Sequence, residues 1–202
     1  MPHRIDIDSI RQNLFVLMHL AYGAEHFAKK HDLEAVDEEN GPINRGYYEG
    51  WLKYTLSEKL LEVSVKTRVI LDIVGAEEKR YAEDGEAYSV DLAALDKEIS
   101  EKHSIAGSST GGKVTLRECC NKVIHAAEIH PIFHASDDEH ENDEELESKR
   151  ELTYWSGSLD MSGTHHYGDW HYQLEIPEFC AGLEELLSVL EAEVDWYSIH
   201  QD

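Results

Sequence analysis

Apolar residues recur every three or four positions in five stretches of the chain and every second position in one. Ile10, Leu14, Leu17, Met18, Ala21 and Ala28 keep helical spacing after Asp8-Ser9, a good N-cap pair, and predict a first helix ending near His31. Gly41-Pro42 punctuates the chain, and a second, longer helix is predicted from about 44 to 74. Leu52, Leu56, Leu60, Val63, Ile70 and Val74 form its stripe, which Leu61, Val69, Leu71 and Ile73 widen towards the C-terminal end, so it should meet more than one partner helix. The polar stretch 77–86 follows, and Ser89 is placed to cap a short helix through about 102 with Val90, Leu92, Leu95 and Ile99 apolar. Residues 106–112, Ala-Gly-Ser-Ser-Thr-Gly-Gly, have the composition of a flexible connector. A fourth helix is predicted over 115–129, stopping before Pro131 because the residue ahead of a proline avoids the helical conformation. The period then changes to two. Trp170, Tyr172, Leu174 and Ile176 alternate with His171, Gln173 and Glu175 as in a half-buried strand, with Leu159 and Met161 in its antiparallel neighbour and a turn at 164–169. Pro177 opens the last helix, where Phe179, Leu183, Leu186, Leu187, Leu190 and Val194 repeat.

These elements predict a mainly α fold: a bundle of four or five helices, two of them long, with a C-terminal β-hairpin packed on the last helix. A length of 202 residues suits one core, so a single domain over 1–202 is expected. Residues 136–148 hold eight Asp or Glu and no Lys or Arg, which reads as a solvated, mobile acidic insertion. It lacks the turn glycine of a calcium loop.

Charge narrows the function. The chain carries −24 at neutral pH, which repels phosphate backbones, so RNA is a partner only where basic groups gather locally. Cys119, Cys120 and Cys180 are too few for a disulfide framework and read as reduced, buried thiols. The first residues lack a secretory pattern and no apolar run is long enough to cross a bilayer, so a cytoplasmic protein without a membrane partner is expected.

The most ordered chemistry lies in the fourth helix. Arg117, Asn121 and His125 stand four residues apart and form a polar ridge beside the apolar face of Leu116, Cys119, Cys120 and Val123. In a catalytic reading His125 transfers protons, Arg117 stabilises charge and Asn121 orients the substrate. In a structural reading Arg117 pairs with a carboxylate, Glu118 or one on a neighbouring helix, and His125 is a boundary residue. Nearby, Gly107, Gly112 and Lys113 have phosphate-loop spacing, but Val114 stands where the metal-binding hydroxyl belongs.

The segment Asn121-Lys-Val-Ile-His125, on a late helix after two long antiparallel-looking ones, resembles the signature region of the HEPN superfamily of helical domains. That family's motif is an Arg, then a polar residue, then a His about one turn on. Asn121 and His125 match, Cys120 stands at the Arg position, and Arg117 lies three residues earlier. The resemblance implies a homodimer tied to defence or toxin–antitoxin systems, acting either as a metal-independent RNA-cleaving protein or as a binding module without catalysis.

Two alternatives stay open. Thirteen histidines, among them His130 and His134 flanking Pro131, suit a histidine-rich metal-binding protein or hydrolase, although no recognised zinc spacing is present and no cofactor is implied. The acidic surface instead suits an interaction module for a basic protein partner.

Overall fold

The computed structural model describes residues 6–31, 33, 45–108, 114–137, 151–165, 168–196 and 199. Among the described residues five helices and a four-stranded antiparallel sheet make a mainly α protein. Helix α1 (Ile7–His31) is capped by Asp6, whose Oδ1 accepts from the Ser9 N–H at 3.1 Å, so Ser9 sits inside the first turn. Helix α2 (Arg45–Glu83) runs nine residues past the predicted end at Val74. It stops where Gly85 takes φ +76°: the Glu86 N–H donates to the Tyr81 carbonyl at 2.9 Å and the Gly85 N–H to that of Ala82 at 3.2 Å, the paired bonds of a Schellman end. Asp91, and not Ser89, caps α3 (Leu92–His103), accepting from the Ala94 N–H at 3.0 Å. The Ser89 hydroxyl donates instead to the Glu193 carbonyl.

After α3 come β1 (Ala106–Ser108), α4 (Leu116–His125), β2 (Glu128–Asp137), β3 (Glu151–His165), β4 (Gly168–Glu175) and α5 (Ile176–Glu193). The connector thus contributes a short strand, and strand order is β1-β4-β3-β2. The predicted hairpin forms, and its register sets Leu159 opposite Leu174 and Met161 opposite Tyr172. The prediction that fails is a helix reaching Ile129, because α4 ends at His125 and the chain re-enters as an edge strand. Pro131 is tolerated there because an edge residue can do without a ladder N–H, and the register shifts between Pro131 and Phe133. Of the predicted acidic insertion, 136 and 137 end β2 and 138–148 lie outside the described residues.

The hairpin touches α5, but β3 lies more extensively along α1. Gly157, at φ +89°, marks that crossing: a Cβ there would stand 3.5 Å from Ala21 Cβ and 3.7 Å from Pro177 Cδ. Helix α5 is the central element, with Phe179, Leu183, Leu186, Leu187 and Leu190 fully buried. At Gly182 it approaches α3 and α4, since an added Cβ would lie 3.3 Å from Leu116 and 3.6 Å from Ile99. Arg11 ties α1 to α5 through Glu184 at 2.9 Å and Glu191 at 2.6 Å.

Candidate functional site

Helix α4 is ten residues long, too short to hold itself in water, so its neighbours must fix it. Two contacts at its N-terminal turn begin this. At the start, the Thr115 hydroxyl accepts from the Glu118 N–H at 3.2 Å. The buried Asp96 of α3 accepts from the Leu116 N–H at 2.8 Å and the Arg117 N–H at 3.3 Å, while the Ser100 hydroxyl donates to it at 3.2 Å. An internal anion therefore occupies the position at which a helix N-terminus would receive a phosphate. Strand β1 lies ahead of this helix, as a phosphate loop requires, and the first N–H groups of the helix, at 116 and 117, are already engaged; Gly112 and Lys113 lie outside the described residues.

Further along, Leu116, Cys119, Cys120 and Val123 bury against the core, chiefly on α2. Burial pushes the Cys120 and Cys180 thiols up to about 12 and Cys119 well above its ordinary value, so none is a thiolate nucleophile at neutral pH. The opposite flank packs on the sheet. Lys122 Nζ lies 4.6 Å from the Trp170 ring and 5.0 Å from that of Tyr172, and the Tyr172 hydroxyl donates to Glu118 at 3.4 Å. Trp170 in turn requires a glycine opposite, because a Cβ on Gly163 would stand 2.4 Å from its ring.

The polar ridge divides. Arg117 reaches sideways to α2, where its Nη2 donates to Asp72 Oδ1 at 2.5 Å, and the same carboxylate oxygen lies 3.1 Å from Arg68 Nη1. Arg117 thus has a carboxylate partner on a neighbouring helix. Asn121 is half-buried, and His125 is exposed at the last position of α4. A cavity of about 790 Å³ opens between α2, α3 and the start of α4, lined by Leu71, Asp72, Gly75, Leu92, Asp96 and Arg117 among others. Asn121 and His125 are not part of that lining. Eight residues of helix separate Arg117 from His125, a rise of about 12 Å.

His130 and His134 lie exposed on β2, with His130 Nε2 3.4 Å from Glu128 and the His134 ring 6.2 Å from that of Tyr154. Four strand positions amount to about 13 Å, whereas two nitrogens on one zinc ion are within about 4 Å of each other. Among the described residues no group of three or more His, Cys, Asp or Glu is arranged to hold a metal ion. No helix among them is long and apolar enough to cross a membrane.

Sequence reasoning passed over Asp72 and Asp96, the two carboxylates that organise α4. Asp96 carried a signal: with Leu92, Ile99 and Ser100 it occupies the buried face of α3, where an unpaired carboxylate would be costly. No protein-family model, characterised protein or solved structure matches this chain.

Proposed function

We propose that this protein is a HEPN-like helical binding module without RNA-cleaving activity, acting as an acidic interaction partner for a basic protein. The observation that carries this reading is the commitment of Arg117 to Asp72. Cleaving RNA without a metal requires a proton-transfer group and a cation on the same phosphate, held within hydrogen-bond reach. Arg117 turns towards α2, His125 stands about 12 Å further along the axis, and in the cavity beside Arg117 the carboxylates of Asp72, Glu78 and Asp96 outnumber Arg117 and Lys79, a balance that does not favour phosphate. The net charge of −24 suits a basic partner, which it would attract more strongly at low ionic strength. The test is cleavage of a mixed-sequence RNA in chelator by wild type, Asp72→Ala and His125→Ala. The expected result is no cleavage by any of the three; cleavage by wild type that His125→Ala abolishes overturns the reading.

A further inference from the structure

The outer face of α2 presents an apolar surface that neither the core nor the α4 ridge uses. Trp51 is 79% exposed, Tyr54 70%, Leu61 47%, Val65 42% and Val69 50%. They recur at helical spacing on the side away from the buried Leu52, Leu56, Leu60 and Val63, over about 27 Å of helix axis. Taking fractional exposures of full aromatic and aliphatic side chains, they offer on the order of 450 Å² of apolar surface in one strip. Protein interfaces are only about 57% apolar, so a strip of this size corresponds to roughly 800 Å² per partner, the contribution each side makes to a standard stable interface.

Two features choose the occupant. Residues 45–72 carry five Lys or Arg against four Asp or Glu, a balance of +1 within a chain of −24, so this stretch of helix repels a second copy far less than the rest of the chain does, and Glu58, the one acidic position in line with the strip, has Lys59 Nζ 3.9 Å away to offset it. The strip is also self-complementary. Its N-terminal half is aromatic, its C-terminal half aliphatic, and Glu58, the exposed charged position in line with it, lies near the middle. We propose that α2 pairs antiparallel with α2 of a second copy about a twofold axis near Glu58, laying Trp51 and Tyr54 of each chain on the Leu61 to Val69 half of the other. Such an isologous contact closes at two subunits, with the buried aromatics as its anchors. It leaves the two Arg117–Asp72 pairs about 40 Å apart at opposite ends of the interface, so it does not depend on any reading of the α4 ridge.

The test is sedimentation of the full chain at micromolar concentration in about 0.15 M salt, where charges on the two copies more than about 8 Å apart are largely screened. Wild type is expected to sediment as a dimer. The double variant Trp51→Glu, Val65→Glu is expected to raise the dissociation constant by at least about 100-fold, with the far-UV circular dichroism and melting temperature of its monomer unchanged because both side chains are exposed. Glu58→Cys is expected to cross-link to itself under mild oxidation, a readout kept clean by the burial of Cys119, Cys120 and Cys180. A wild type monomeric at about 100 μM, where even a weak standard-size interface associates, a double variant still dimeric, or a Glu58→Cys chain that does not self-couple each overturns the proposal.

Discussion

Asp96 offers the sharpest test of how α4 is held. Replacing it with Ala removes the acceptor of the Arg117 N–H and one of two acceptors of the Leu116 N–H; the Ser100 hydroxyl, 2.9 Å from Leu116 N, keeps the latter satisfied. Loss of a capping acceptor costs about 1 kcal/mol, and loss of a negative charge at a sheltered helix N-terminus up to about 2 kcal/mol more. Against this stands the desolvation of a carboxylate only 6% exposed, which the two N–H groups and the Ser100 hydroxyl offset. Asp96→Ala should therefore destabilise by about 2–3 kcal/mol, lowering the melting temperature by roughly 4–12 °C in a domain of this size. Asp96→Asn retains the shape and one acceptor oxygen but not the charge, and should cost less, about 1–2 kcal/mol. Urea unfolding followed by circular dichroism, with equal slopes in all three proteins, gives both numbers. An Ala variant as stable as wild type would mean that desolvation cancels the capping bonds, and an Asn variant as unstable as Ala would mean that the bonds themselves contribute nothing.

Two further outcomes follow from the same packing. Gly163→Ala forces the Trp170 ring away from a Cβ that would otherwise stand 2.4 Å from it, so it should cost about 1–3 kcal/mol and shift tryptophan fluorescence by disturbing the Lys122 contact; a silent substitution would show that the ring does not sit there. At high pH the buried thiols should destabilise the protein. In the unfolded chain they ionise at the ordinary 9.0, while folded Cys120 and Cys180 keep their protons to about 12, so stability falls as pH rises between those values. The loss at one pH unit above the unfolded value is about 1.4 kcal/mol per thiol, and substituting Cys180 with Ala or Val should flatten the alkaline limb of the stability profile; an unchanged limb would refute the linkage.

How much of this was legible in the sequence depended on the range of the interaction. Period alone placed the helices and the pairing of β3 with β4, because Leu159, Met161, Tyr172 and Leu174 alternate on either side of one turn. Boundaries governed by a single local motif slipped: the polar run 77–86 hid the last nine residues of α2, since an exposed helical end needs no apolar stripe. The strand after α4 was obscured by Pro131, which normally argues against a sheet and is allowed here only by edge position. The ridge could be read as a ridge, but its division could not, because Arg117 is oriented by Asp72, forty-five positions away, and the turn beneath it by Asp96. Long-range charge pairing leaves no periodic trace.

The two margins of the sheet carry one last consequence. On one side the outermost strand is only three residues long, and on the other a proline and a slipped register interrupt the ladder. Among the described residues neither margin offers an unbroken row of donors and acceptors onto which a neighbouring chain could add a strand, so ribbon-like polymerisation is discouraged at both. A second copy would therefore have to be met through side chains, in an assembly that closes, and not through open-ended strand addition.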